Sequence, residues 1–255
     1  MVSWAVLGSG SSGNSYLFSD GETSLLIDQG FSVVELKRRL ARFSTTIDTV
    51  AAAFVTHLHP DHARGIGTVA RMHRVPIWMH AKAVELQAGL VSDLRIPAGL
   101  LNVVNPFEVV EVGPFSVFCF ETSHDCAGSV GWVVAYGEER FMVLTDTGVT
   151  NEVQRTLARD AQVLFLEANY DREMLRTGPY PPYLKARIAS REGHLSNDEA
   201  FTFLSESGFQ GSHVYFIHIS DTNNSVDLLE AAASRLSPVP FTVCAKGQCY
   251  GMVGS

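Results

Sequence analysis

The stretch THLHPDHARG at 56–65 places His57, His59, Asp61 and His62 within six residues. Imidazole and carboxylate are ligands for zinc, manganese or iron, and this is the densest set of such groups in the chain. Four metal-capable side chains this close cannot all reach one ion without strain. The spacing H-x-H-x-D-H suits two ions instead, with His57 and His59 on one and Asp61 and His62 on the other. The apolar run AAAFVT at 51–56 leads directly into the motif and reads as a short buried strand, so the ligands sit at a strand end, before a helix.

A second stretch, GSGSSG at 8–13, matches the G-x-G-x-x-G fingerprint of dinucleotide-binding sites, with Asp28 about twenty residues on. The residues after the glycines rule that reading out. A pyrophosphate site needs a helix directly after them, because the phosphates rest on its N-terminus. Here NSYLFSDGETSLLID alternates and turns like a β-hairpin, and Asp28 ends a hairpin strand.

The elements that must position these residues are legible in outline. SWAVL, NSYLFS and SLLIDQ read as strands, the last two joined by the turn Asp20-Gly21-Glu22. Helical stretches are expected near 32–43, 63–73 and 81–89, the last two flanking the strand PIWM. Strands return with FEVVEV, FSVFCFE, SVGWVVAY and RFMVLTD. Helices at 150–159, 196–207 and 224–236 then alternate with the strands QVLFLEA, HVYFIH and FTVC. Two blocks of hairpins, each followed by strand–helix alternation, suggest two sheets with helices on their outer faces. No linker separates the blocks, so residues 1–255 are expected to form one domain.

Composition agrees with a buried core: 46% of the 255 residues are apolar and 18% charged. No apolar run approaches the roughly 20 residues of a membrane span. The start, MVSWAVLGSG, lacks the basic region and the apolar length of a signal peptide. The expectation is a cytoplasmic protein whose Cys119, Cys126, Cys244 and Cys249, with no C-x-x-C pair, are reduced thiols. A net charge of −8 argues against nucleic-acid binding through the whole surface and leaves room for a local basic patch. His73, His80 and His213 have no partner motif and read as structural or surface residues.

The H-x-H-x-D-H motif at a strand end resembles the metallo-β-lactamase superfamily. The resemblance implies an α/β protein, a four-layer αββα sandwich with a two-metal site along one edge of the sheets. It also implies further ligands in chain order. His124, in ETSHDC, would join His57 and His59 on the first ion; His218, in FIHISDTNN, would join Asp61 and His62 on the second; Asp146, in LTDTG, would bridge them. Asp28 is read as bracing the metal loop without binding metal.

The residues beyond Asp146 indicate the branch. Glu167 in FLEANYD, His194 in GHLSNDEA (before a helix capped by Ser196) and His218 form a series similar to the phosphodiesterase branch, which includes tRNA 3′-end processing enzymes. There the Glu orients the His, which contacts the reacting phosphate or serves the leaving group. SGSSGNS, GHLSN and HISDTNN together resemble the YycJ (WalJ) family, from the first strand to at least residue 225. That family is associated with 5′-to-3′ exonuclease activity on double-stranded DNA. No inserted β-CASP domain and no long tRNA-binding arm are visible, and both absences favour this family over its nuclease cousins.

The expected function is therefore two-metal phosphodiester hydrolysis of duplex DNA ends. A hydroxide between two divalent ions (zinc, manganese or iron) would be the nucleophile, with Asp61 orienting it and His194, held by Glu167, protonating the leaving oxygen. Ser11, Ser12 and Asn14 of the glycine loop, with Arg191 and Asn223, are the expected substrate contacts. Residues 170–193 supply a candidate nucleic-acid surface, with Arg172, Arg176, Lys185, Arg187 and Arg191 interleaved with Tyr170, Tyr180 and Tyr183. A small-molecule (cyclic) phosphodiesterase or an RNA-processing nuclease resembling RNase Z would share all seven ligands. A thioester or lactone hydrolase would leave Glu167 and His194 without a task. A non-catalytic module would be expected to have lost ligands, and none is missing.

Overall fold

The computed structural model describes residues 2–252. Strands β1 (Ser3–Gly8), β2 (Ser15–Ser19), β3 (Ser24–Ile27), β4 (Val50–Phe54), β5 (Ile77–His80) and β6 (Leu101–Val104) build the first sheet. The second contains β7 (Val110–Val112), β8 (Phe115–Glu121), β9 (Val130–Tyr136), β10 (Glu139–Leu144), β11 (Val163–Glu167), β12 (His213–Ile217) and β13 (Phe241–Val243). The final strand, β14 (Tyr250–Met252), returns to pair with β1. The orders are β14-β1-β2-β3-β4-β5-β6 and β13-β12-β11-β10-β9-β8-β7.

Alternation along the strands makes this a sandwich. Trp4, Val6, Tyr16, Phe18, Leu25 and Ile27 point from the first sheet into a core shared with Phe115, Val117, Trp132, Phe141, Val143, Phe165 and Ile217 of the second. The intervening residues Ala5, Leu7, Leu17, Leu26 and Ala53 face outward onto an outer helical layer. Its helices are α1 (Val33–Leu40), α2 (Pro60–Ala63), α3 (Ile66–His73), α4 (Ala81–Leu86) and α5 (Ala88–Asp93). On the second sheet, Phe120, Met142, Leu144, Leu164, Leu166 and Phe216 likewise turn outward onto the opposite layer. That layer carries α6 (Glu152–Arg159), α9 (Asn197–Ser207) and α10 (Val226–Leu236), while α7 (Arg172–Thr177) and α8 (Pro182–Ile188) lie between β11 and α9 in the chain. Both faces of each sheet are covered, and the result is an αββα sandwich.

The direction of the strands decides where the site falls. β3 runs parallel to β4, and β10, β11 and β12 run parallel to one another. β8 is antiparallel to β9, which is antiparallel to β10, so β8 and β10 end at the same edge. Every segment expected to carry a ligand therefore leaves a strand on one side of the sandwich.

Three local expectations change. The helix expected over 81–89 is two short helices broken at Gln87, whose φ of −124° and ψ of 36° interrupt the helical run. The strands β6 and β14 have no counterpart in the sequence reading. FEVVEV forms a strand only at Val110–Val112. Among the described residues no helix is long and apolar enough to cross a membrane.

Candidate metal centre

Seven side chains converge just beyond the strand ends. His57, His59, Asp61 and His62 follow β4; His124 follows β8; Asp146 follows β10; His218 follows β12. Three site residues adopt left-handed backbone angles that β-carbon-bearing residues seldom take: Asp28 (φ 61°), Asp146 (φ 51°) and His218 (φ 56°). Such conformations cost about 1–3 kcal/mol each and persist where surrounding contacts enforce them. At His218 the enforcing contact is its backbone N–H, which donates to Ser9 Oγ at 2.6 Å, binding the glycine-rich loop to the end of β12.

The cluster resolves into two triads. His57 Nε2 and His124 Nε2 lie 3.1 and 3.2 Å from His59 Nδ1. His62 Nε2 and His218 Nε2 lie 3.6 and 3.5 Å from Asp61 Oδ2. Asp146 stands between them, its Oδ2 3.2 Å from His62 Nε2 and its Oδ1 3.6 Å from both His124 Nε2 and His218 Nε2. Ligands about 2.0–2.1 Å from a tetrahedral ion are separated from one another by about 3.3–3.4 Å. The spacing within each triad is close to that figure.

The far nitrogen of four of the five rings is tied back into the protein, which aims the near one. His62 Nδ1 donates to Asp28 Oδ2 at 2.7 Å, and Asp28 also accepts from the Thr56 amide and hydroxyl, both at 2.8 Å. His57 Nδ1 is 3.0 Å from Thr56 Oγ1, and His124 Nδ1 donates to Gly193 O at 3.1 Å. His218 Nδ1 donates to Glu167 Oε1 at 3.0 Å. His59 alone points Nδ1 inward, with Nε2 3.8 Å from Asp125 Oδ1. Such outer partners fix ring tautomer and orientation in metal sites.

Electrostatics asks for a cation here. Burial, reinforced by neighbouring imidazoles, holds His57 and His59 below the ordinary histidine range, so their lone pairs are free at neutral pH. Burial opposes charge on His62 and His218 as well. Around His62, Asp146 and Asp28 overcome that penalty and push it up to about 10; around His218, Asp146, Asp61 and Glu167 push it up too. For Asp61, burial is outweighed by the imidazoles of His218, whose Nε2 lies 3.5 Å away, and His62, which hold its carboxyl down at about 2. Protons are thus retained on two rings because carboxylates surround them, and divalent cations held at the same place would supply that charge. His218 Nε2 is buried with no hydrogen-bond partner, an orphan that a metal bond satisfies. The residues fit a metal centre.

Glu167 and His194 sit beside the triads. Glu167 is fully buried and its oxygens are fully engaged. Oε1 accepts from His194 Nδ1 at 2.7 Å and from His218 Nδ1; Oε2 accepts from the amides of Thr147 (3.0 Å) and Leu195 (3.3 Å). Glu167 therefore orients two rings, where the sequence suggested one. With Nδ1 held, His194 has Nε2 to offer to a cleft of about 400 Å³, walled also by Asp61, Asp146, Ser11, Tyr180, Arg187, His218 and Asn223.

The expected substrate contacts fall into separate places. Ser11 is exposed on the cleft, whereas Ser12 faces a neighbouring hollow. Asn14 is buried beneath the loop. Its carboxamide binds Gly10 N and O and the Asp61 carbonyl and lies 2.9 Å from His62 Nε2, so it braces the metal loop and offers no face to a ligand. Arg191 is exposed and outside the cleft wall; Arg187 lines it in its place, paired with Asp125. Asn223 lines the cleft as a buried side chain. In the 170–193 segment, Arg172 is paired with Glu199 and Arg176 with Glu173. Tyr170 is buried and unavailable for stacking, Tyr180 is half-buried at the cleft, and Tyr183 is 76% exposed.

Among the remaining histidines, His80 is buried with Nδ1 3.1 Å from Gly128 O, and His213 Nε2 is 2.8 Å from Thr242 Oγ1. His73, expected to face solvent, is half-buried, with its Nε2 sealed from water. Ser9, Thr56 and Asp125 escape a reading of the sequence. Their positions beside Gly8, His57 and His124 are the available signal.

An αββα sandwich with His and Asp clusters along one edge is the plan of a metal-dependent hydrolase. A family model described as a beta-lactamase superfamily domain matches residues 23–219. Exodeoxyribonuclease YycJ of Bacillus anthracis is 30% identical over 234 residues, 91% of this chain and 88% of that protein. The chain belongs to the metallo-β-lactamase superfamily and is YycJ-like within it. Exodeoxyribonuclease WalJ of Streptococcus pneumoniae serotype 2 (strain D39 / NCTC 7466) is 29% identical over 226 residues, 88% of this chain and 84% of that protein. The crystal structure of the metallo-beta-lactamase fold protein YhfI from Bacillus subtilis shares the fold, with a TM-score of 0.75 at 18% identity over 98% of this chain and 99% of that one. The protein is a metal-dependent hydrolase.

Proposed function

We propose that the protein is a two-metal phosphodiesterase acting on nucleic acid, and specifically a 5′-to-3′ exonuclease on double-stranded DNA ends. The observation that carries this reading is the likeness, over nine-tenths of the chain, to a relative named an exodeoxyribonuclease. His194 on the cleft wall, held by the buried Glu167, supports it, because phosphodiester cleavage needs a proton for the leaving oxygen.

His57, His59 and His124 would hold one ion, Asp61, His62 and His218 the other, and Asp146 both. Zinc and manganese suit this donor set, and so does iron. When bound, divalent ions here supply Lewis acidity, acidifying water and neutralising charge on a phosphate. The chain's own groups do the rest. Asp61 is ionised at neutral pH and faces the cleft, so it accepts a hydrogen bond from an attacking water and orients it. Glu167 fixes the His194 ring, leaving Nε2 to deliver a proton to the departing oxygen. Ser11 stands on the rim, where its hydroxyl meets a phosphate oxygen. Tyr183 offers an exposed ring to a base.

The test is hydrolysis of duplex DNA labelled at either the 5′ or the 3′ end, with Mn²⁺ or Zn²⁺ supplied to the purified protein. The expected result is early release of the 5′ label as mononucleotide, with 3′-labelled strands shortening progressively. Cleavage of bis(p-nitrophenyl) phosphate without cleavage of either DNA would replace this reading with a small-molecule phosphodiesterase.

A further inference from the structure

The glycine-rich loop joining β1 to β2 presents successive residues to two different hollows. Ser11 walls the catalytic cleft, and Ser12 walls a second hollow of about 510 Å³. The other walls of that hollow include Phe31, Ser32 and Val33 around the start of α1, and Arg64 and Thr68 just after the metal motif. One turn of the loop therefore borders both hollows.

Arg64 gives the second hollow its chemistry. Its Nε and Nη2 both donate to Gly30 O, at 3.3 and 3.1 Å, which fixes the plane of the guanidinium. Its Nη1 has no hydrogen-bond partner, and no carboxylate lies within ion-pair distance of it, among the described residues. In the 170–193 segment, Arg187 is paired with Asp125, Arg172 with Glu199 and Arg176 with Glu173. Glu35, the acidic residue on the wall of this hollow, is itself held by Arg38 and Arg39. In a chain of net charge −8, an oriented guanidinium without a counter-ion beside two hydroxyl-bearing side chains, Ser12 and Thr68, is a ready partner for an anion.

We propose that this hollow is a second phosphate subsite. It receives a backbone phosphate of the same nucleic-acid strand whose scissile phosphate occupies the catalytic cleft, and the strand passes over the Ser11–Ser12 turn between them. The inference rests on the proposed nuclease reading and adds the direction in which bound strand leaves the metal centre. Small residues in the loop let a sugar-phosphate backbone cross it closely, which gives the G-x-G-x-x-G stretch a task that does not involve a dinucleotide.

The experiment measures kcat/KM against strand length, from a dinucleotide upward, for the wild type, Arg64→Ala, Arg64→Lys and Ser12→Asp. Arg235→Ala, which removes an exposed charge from α10, serves as the charge control. Arg64→Ala is expected to lose about tenfold on long strands, mainly through KM, with a much smaller loss on the dinucleotide. The slope of log(kcat/KM) against log[salt] should become shallower by about one. Lysine should restore part of the loss, since it keeps the charge without the fork. Ser12→Asp, at an exposed position, should raise KM with length by placing a like charge in the path. Wild-type length dependence and salt slope in both Arg64→Ala and Ser12→Asp would overturn the subsite while leaving the nuclease reading intact. A wild type that cleaves no strand of any length, yet hydrolyses bis(p-nitrophenyl) phosphate, removes both.

Discussion

The imidazoles of His57, His62, His124 and His218 owe their aim to the group on their other nitrogen, and Glu167 is the most heavily committed of these. Its two oxygens take two ring N–H groups and two backbone N–H groups. In Glu167→Gln one oxygen becomes an amide nitrogen, so one of those pairs of donors faces another donor. The expected outcome is a 10–100-fold fall in metal affinity or kcat. A stability loss of about 1–3 kcal/mol should accompany it, for the buried groups left unpaired. Metal titration and thermal melts read both, and wild-type values for each would end the case for a positioning role. His59→Ala removes the only ring that turns Nδ1 inward. It should lose bound metal and hydrolysis together, as measured by elemental analysis and turnover; full activity would move the reaction elsewhere. His57, His59, Asp61 and His62 stand out as candidate ligands because H-x-H-x-D-H is dense and local, whereas His124, Asp146 and His218 enter only through the family resemblance. Ser9 and Asp125 are not, because their role depends on partners far along the chain: His218 lies 209 residues beyond Ser9.

Loops carry the ligands, and backbone contacts between loops hold them in register. The Asp61 carbonyl accepts from Asn14 N at 2.7 Å, and Gly30 N donates to Asn14 O at 3.0 Å, so three loops are laced together under the metal motif. A β-carbon added at Gly30 would fall 1.7 Å from that same Asp61 oxygen. Gly30→Ala must therefore displace the metal loop or the β3–α1 connection. Overpacking of this kind costs about 1–3 kcal/mol or more. The expected result is a melting temperature lower by several degrees together with weakened metal binding. Gly89→Ala is the counterpart, since a β-carbon there meets open space inside α5. It should be neutral or stabilising by up to about 1 kcal/mol. Equal melting temperatures for the two variants would refute the lacing argument. At this scale, the long alternating strands can be read from sequence, while β6 and β14 cannot. β14 spans only three residues and exists through pairing with β1 at the other end of the chain, a partner that local patterning does not reveal.

For the whole molecule, the metal centre is also a seam. His57, His59, Asp61 and His62 leave the first sheet, while His124, Asp146 and His218 leave the second. The inter-sheet core of Phe18, Phe54, Trp132, Phe141 and Phe165 joins the same two halves from within. The sandwich is readable because outward and inward apolar residues alternate on nearly every strand, so that both faces of both sheets demand cover. The convergence of candidate ligands at one edge comes from the family resemblance and not from local patterning, since it depends on which strands run parallel. Cations bound at that edge would tie the halves together and offset the repulsion among Asp61, Asp146 and the buried Asp28 and Glu167. Anything that binds the folded state stabilises it by mass action, by about 2.7 kcal/mol at a free concentration 100 times Kd. For a chain of this size that corresponds to a rise of about 5–10 °C in melting temperature. Calorimetry of chelator-treated protein against protein with Mn²⁺ or Zn²⁺ at that excess should show the rise, and His59→Ala should show much less of it. The same melting temperature with and without metal would mean that the two sheets are not joined through shared ions, and that the cluster is held by its hydrogen bonds alone.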